Sequence, residues 1–384
     1  MRFLLGQLNA NGDCLYATIL ARQIKQDYPE CELTWAISSQ CSQILRGNPD
    51  VDKIWELKAE KLSSREIAWW DFEKAVLSIQ TGSDPFDRVL LSQISPGNFR
   101  NYDGTIRPSI LRAYNRPISV PIDSVINLSD QEWDRVDKFV RSKGIDQYSH
   151  RILFECSSTS GQSYVTPEFA LNVALLVKKQ MDDCCFILST HEKIETESHN
   201  IISALELGIR ENAALTHYCS LFVGCGSGLT VAATSMAAKE LPNIQLLSTR
   251  TSVFASFFHD FEYFGKSSDR FIEMGDASAE LVAEMIVTCC YDGISVGRNA
   301  YHRPLPVTFD FYVELIDMCL LQRGKYLDAL ESLFVTVKRY GWNEMLVDFG
   351  RNKILPMVRL GEVNNVDLGR RERVYESIET ICSV

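Results

Sequence analysis

The sequence predicts two doubly wound α/β units in tandem, followed by a run of helices. Three observations lead there. A chain of 384 residues exceeds what one hydrophobic core ordinarily supports. Short apolar strands alternate with amphipathic helices in two cycles, the second starting near residue 150, and that rhythm demands parallel sheets covered by helices. From Phe309 the strands stop and helical periodicity continues alone. The units expected are residues 1–146, residues 147–300 and a helical extension over 301–384.

Residues 1–8 read as the first strand, with Gly12 and Asp13 making the turn after it. "CLYATILARQIKQDYP" follows as a helix, its apolar positions Leu15, Ile19, Leu20 and Ile24 falling at helical spacing and Pro29 stopping it. "ELTWAIS" is a strand, "CSQILRGNP" a short helix, "VDKIWELK" a strand and "FDRVLLSQ" one more. "NFRNYDGTIRPSILRAYNRPISVPID" reads as a loop-rich stretch that holds Arg100, Arg107, Arg112 and Arg116. The polar helix "SDQEWDRVDKFVRSKGI" leads to the join near Lys143 to His150. In the second cycle "HRILFECSS", "CCFILST", "LFVGCGS" and "NIQLLST" are strands, and "TPEFALNVALLVKKQM", "GLTVAATSMAAKE" and "SAELVAEMIVTCC" are helices. Thr166-Pro167-Glu168 is a helix-start signal. The tail segments "FYVELIDMCLLQ", "KYLDALESLFVTVKRY" and "RVYESIETI" are amphipathic, and their expected role is packing or homodimerisation.

Composition narrows the function classes. Apolar content of 46% with 23% charged residues is ordinary for a globular protein, and no apolar run reaches the roughly 18–20 residues of a membrane span. The apolar stretch at the N-terminus is too short for a signal-peptide core, so a cytoplasmic protein is expected, with peripheral association at the inner membrane face as its nearest approach to lipid. A net charge of −11 repels nucleic acid, which is not expected as a partner. The twelve cysteines contain no CxxC and are expected to be reduced core residues. His191, His199, His217 and His259 lack metal-ligand spacing, and neither a metal nor a cofactor is expected.

Ligands of open α/β sheets bind beyond the carboxyl ends of the strands, and three turns there draw notice. The first holds Asn11, Gly12 and Asp13. The second, over residues 157–168, is rich in hydroxyls, with Ser157, Ser158, Thr159 and Ser160 suited to phosphate oxygens or simply to a loop that caps a helix. The third is "GCGSGLT", in which Gly226 and Gly228 leave N–H groups open at a helix start while Ser227 and Thr230 add hydroxyls. It is suited to a diphosphate or else to close strand–helix packing. GxGxxG is absent from it and from the first turn, which argues against an NAD enzyme.

The first strand with Gly12-Asp13 and "ATILARQIKQDYP", the central "TPEF" helix and "GSGLTVAATSMAAKELPNI", in that order, resemble the bacterial heptosyltransferases of lipopolysaccharide biosynthesis, glycosyltransferase family 9. "CELTWAIS...NPDVDKIWEL" continues the likeness, which runs from Met1 to about Cys290. The resemblance implies the GT-B fold, two Rossmann-like domains facing a cleft. It also implies inverting transfer of a heptose or other hexose-like sugar from a nucleoside diphosphate sugar to a hydroxyl of a glycan, glycolipid or protein, with Asp13 as general base. Glu192 is then the candidate for the ribose hydroxyls, and Arg107, Arg112 and Arg250, with Asn11 and Gly12, for phosphate or acceptor. Two departures stand out. Tyr164 occupies the region where the family has a lysine, and Val231 the place of a histidine. They open a second expectation, a catalytically inactive GT-B-like binding or scaffold protein, recognisable by a filled or cation-free cleft. An epimerase of the same shape would need further acid/base residues that the sequence does not single out.

Overall fold

The structure, a computed structural model, describes residues 1–58, 64–358, 363 and 368–383. Strand β1 (Arg2–Gly6) lies inside a four-stranded parallel sheet ordered β3-β2-β1-β4, with β2 at Glu32–Ser38, β3 at Lys53–Leu57 and β4 at Arg88–Leu91. Alternation along β1 decides what covers each face. Phe3 and Leu5 join the cluster that contains Leu15 and Ile19 of helix α1 (Asn11–Asp27), while Leu4 joins Trp69, Phe72 and Val76 of α2 (Ser64–Gln80) on the other side. Helix α3 (Ile106–Arg112) completes this half, whereas α4 (Asp130–Ser142) packs against residues 210–218 of the second, through Glu132–Arg210, Arg135–Glu211 and Trp133–His217.

The second sheet has six parallel strands in the order β10-β9-β8-β5-β6-β7. They are β5 (His150–Glu155), β6 (Cys184–Ser189), β7 (Ile201–Ser203), β8 (Leu221–Gly224), β9 (Asn243–Leu247) and β10 (Phe271–Gly275). Counted from β5, this is the 3-2-1-4-5-6 order of a doubly wound dinucleotide-type sheet. Its helices are α5 (Pro167–Lys178), α6 (Ile209–Leu215), α7 (Gly228–Ala232), α8 (Phe257–Tyr263) and α9 (Ala279–Asp292). Thr166 caps α5, its hydroxyl accepting from the Phe169 N–H, as the Thr-Pro-Glu signal predicts.

The structure corrects several details. Gly12 and Asp13 are not a turn: β1 ends at Gly6, Gln7 to Ala10 make the connection, and Asn11 already opens α1. The stretch read as loop contains α3. Helix α2 and strand β10 are additional elements. The twelve cysteines are free thiols, Cys382 exposed and the others buried or half-buried.

After α10 (Ile294–Tyr301) come α11 (Asp310–Cys319), α12 (Tyr326–Tyr340), α13 (Glu344–Asp348) and α14 (Leu368–Cys382), and the chain returns to its first half. Tyr312 stacks on Tyr102 at 5.9 Å, the Ser332 hydroxyl donates to the Tyr102 carbonyl at 2.7 Å, and Arg339 pairs with buried Asp103 at 3.0 Å. Leu327, Leu330, Leu333 and Val337 of α12 are buried in the same cluster as Tyr102. The apolar face of α12 is therefore covered within this chain, the packing role expected of the tail.

Two buried arginines tie the halves together. Arg107 of α3 bonds Asp260 of α8 at 2.5 Å, and Arg210 of α6, which bonds Glu132 of α4 at 2.7 Å, donates to the carbonyls of Ile44 and Arg46 in the first half. Burial alone would raise the Glu132 carboxyl, but Arg210 and the N–H and hydroxyl of Ser129 bring it down to about 2. A carboxyl lowered from 4.5 stabilises the folded state fully above about pH 4.5, and loses that contribution as pH falls through 2. Once solvent screening is allowed for, the contribution is roughly 2 kcal/mol. Urea unfolding of wild type and Glu132→Gln at stepped pH is expected to show a difference that shrinks across that window.

Candidate functional site

The carboxyl ends of β1, β2, β5, β6, β7 and β8 open on one cleft of about 520 Å³ between the two halves. Asn11, Gly12, Asp13, Gln40 and Gln43 line it from the first half; Ser157, Thr159, Ser160, Gln162, Gly226, Ser227 and Gly228 line it from the second. The two backbones nearly touch at its floor. A Cβ on Gly12 would lie 3.1 Å from the Cα of Gly228, so glycine at both positions lets α1 and α7 approach.

Asp13 is the third residue of α1. Ala10, the N-cap, has no side chain with which to cap, and the Asp13 carboxylate reaches back to accept from the Ala10 N–H at 3.4 Å. The residue is half-buried and faces the cleft, so one side chain sits both at a helix start and before a ligand-sized space. Capping does not by itself exclude proton transfer there, since a carboxylate has more acceptor sites than one cap bond uses.

The third turn is built differently from the open anion site its glycines suggest. Glu155, the last residue of β5 and 3% exposed, places its carboxylate inside it. One carboxylate oxygen accepts from the N–H of Cys225 at 2.7 Å and the hydroxyl of Thr230 at 2.6 Å. The other accepts from the Ser227 hydroxyl at 2.5 Å and the N–H groups of Leu229 at 2.9 Å and Thr230 at 3.2 Å. Gly226 takes a φ of +67°, and its N–H, expected to be open, donates to the Thr230 hydroxyl. The donors expected to meet a diphosphate thus serve a carboxylate of the same chain. Glu155 follows an apolar strand whose sequence shows its burial but not its partners seventy residues on.

The other expected residues divide. Ser157, Thr159 and Ser160 line the cleft, whereas Ser158 is outside its lining, its hydroxyl buried without a hydrogen-bond partner. Arg107 reaches the cleft, but its guanidinium is engaged by Asp260, by the Ala255 carbonyl at 2.7 Å and by the Phe257 ring. Arg112 lies elsewhere, paired with Asp103 at 2.6 Å. Burial would raise that carboxyl, and Arg112 with Arg339 holds it below the usual range. Arg250 and Glu192 are exposed and outside the lining; Thr190 and His191 line the cleft beside Glu192. Tyr164, where the resemblance leads one to expect a lysine, turns its hydroxyl to the Ala277 N–H at 3.0 Å, and Val231 presents an apolar side chain in place of a histidine. Among the described residues, the basic side chains of the lining are Arg107 and His191, set against Asp13, Glu155 and Glu206.

No protein-family model and no curated protein matches the sequence. Solved structures do. A glycosyltransferase family 9 protein of Veillonella parvula is 14% identical, with 84% of this chain and 97% of that chain covered, at a TM-score of 0.48. The ADP-heptose lipopolysaccharide heptosyltransferase II of E. coli is 15% identical, over 76% of this chain and 98% of that chain, at 0.49. The E. coli heptosyltransferase WaaC, solved with ADP, is 13% identical, over 74% and 99%, at 0.42. By its own two parallel sheets and the cleft at their carboxyl ends the chain is a GT-B fold, and its likeness to the heptosyltransferase-like glycosyltransferases of family 9 is one of fold.

Proposed function

We propose that the chain is a glycosyltransferase that moves a heptose or other hexose-like sugar onto a hydroxyl of a glycan, glycolipid or protein, with inversion at the anomeric carbon. The observation that supports it is the position of Asp13 on the wall of an inter-domain cleft large enough for a sugar and its leaving group. In this reading the Asp13 carboxylate takes the proton of the acceptor hydroxyl as that oxygen attacks the anomeric carbon. The bond to the leaving group breaks on the opposite side, toward the second half. Ser157, Thr159 and Ser160 offer hydroxyl donors there. The donor that goes with the resemblance is a nucleoside diphosphate sugar.

A second reading, a catalytically inactive GT-B-like binding protein, is favoured by one specific observation. Glu155 fills the 225–230 turn, and the cleft's arginine is already paired. The experiment that separates the two is release of sugar from a panel of nucleotide sugars at millimolar concentration, with wild type and Asp13→Asn side by side. Turnover that the substitution abolishes in a folded protein supports transfer. Turnover by neither supports the binding protein.

A further inference from the structure

Glu155 does something that neither transfer nor binding by the cleft requires. A carboxylate buried at the end of β5 has to be held by donors, and it takes two hydroxyls and three backbone N–H groups of residues 225–230. A phosphate placed at the same turn would need those same donors and would bring its charge against that of Glu155. Two like charges in a shared, partly desolvated site repel strongly.

Nothing else described in the lining offsets that repulsion. Arg107 is held by Asp260 and the Ala255 carbonyl, His191 is exposed, and Asp13 and Glu206 add negative charge to the walls. The cleft also holds buried acceptors without a donor. Gln162, 6% exposed, and Asn212, 2% exposed, both line it, and each has its side-chain carbonyl oxygen buried with no donor, as does Asn11. The Asn212 amide nitrogen is engaged by the Leu207 and Gly208 carbonyls, which fixes its oxygen as the unpartnered atom. Three unpartnered acceptors suit hydroxyl or amino donors of a ligand, whereas the turn commits to Glu155 the donors that an anion there would need.

We propose that Glu155 is a specificity-determining residue, an internal anion that withholds the 225–230 turn from diphosphates, so that a phosphate-bearing ligand of the cleft is held outside this turn. The proposal rests on the cleft being the ligand site, but not on sugar transfer occurring there. A nucleoside diphosphate donor then finds no support at this turn, and any hold on it comes from elsewhere in the lining, the hydroxyls of Ser157, Thr159 and Ser160 among them.

The test is calorimetric titration of wild type, Glu155→Gln and Glu155→Ala with pyrophosphate and with ADP, GDP, UDP, CDP and dTDP, after circular dichroism has shown that each variant is folded. The glutamine is nearly isosteric, which guards against a variant lost to misfolding. The expected result is at least a tenfold gain in affinity for diphosphate in a folded variant over wild type. The wild-type protein gives a second reading without any substitution: millimolar pyrophosphate is expected to leave its unfolding temperature unchanged. Folded variants that bind diphosphate no more tightly than wild type, or a clear rise in the wild-type unfolding temperature with pyrophosphate, would overturn the proposal. Because these measurements read binding and not turnover, a failed transfer assay leaves their outcome intact.

Discussion

Arg210→Ala is expected to lower the free energy of unfolding by about 3–5 kcal/mol, the range for removing one partner of a buried ion pair. Arg210 is 4% exposed and uses its whole guanidinium. It donates to both Glu132 oxygens at 2.7 and 3.0 Å, and to the carbonyls of Ile44 at 3.2 Å, Arg46 at 3.0 Å and Asn127 at 2.6 Å. Alanine would leave the buried Glu132 carboxylate with the Ser129 donors but no counter-charge, and would take a donor from each of three carbonyls. Lysine would restore charge without the planar fork that reaches five acceptors. Since Arg210 lies on α6 and its partners lie between Ile44 and Glu132, the same change loosens the two halves against each other. Urea unfolding followed by tryptophan fluorescence checks the magnitude, and a loss under 1 kcal/mol would mean that water satisfies the vacated groups.

Asp13→Asn is expected to lower sugar transfer by about 10²–10⁴-fold, the usual contribution of a positioned general base. The asparagine oxygen can still accept from the Ala10 N–H, so α1 keeps its start and the protein its fold. Loss should therefore appear in kcat, with KM and unfolding temperature little changed. Equal activity in the two proteins would return Asp13 to the role of a helix-start residue and nothing more.

How much of this was legible beforehand depended on how far each feature reaches along the chain. β2, β5, β6 and β9 are short apolar runs between polar residues, and the cleft follows from their parallel order, since every loop at a carboxyl end faces the same side. β10 was hidden because buried Glu273 interrupts its apolar run; the carboxylate is held by the Ser256 hydroxyl and the Leu305 N–H, neither of them close in sequence. In α2, Trp69 and Phe72 pack on the sheet while Ile67, Trp70 and Leu77 are exposed, so no single apolar stripe announces the helix. Asn11-Gly12-Asp13 has the composition of a turn, and only the early end of β1 lets it open a helix. In the site, the glycines of residues 224–228 point to the loop but not to the Glu155 carboxylate that its donors hold. The chemistry of an open helix start is local, whereas the carboxylate that closes it arrives from another strand.

Donor turnover by the wild-type protein decides between a cleft that transfers sugar and one that only binds. Purified protein would be incubated with nucleotide sugars of each base, with water or simple sugars as acceptor, and released nucleoside diphosphate and the anomeric configuration of the product would be followed by NMR. The account predicts slow release from at least one donor with inverted configuration. Retained configuration, or no release from any donor by folded protein, would contradict it and leave a GT-B fold that binds without transferring.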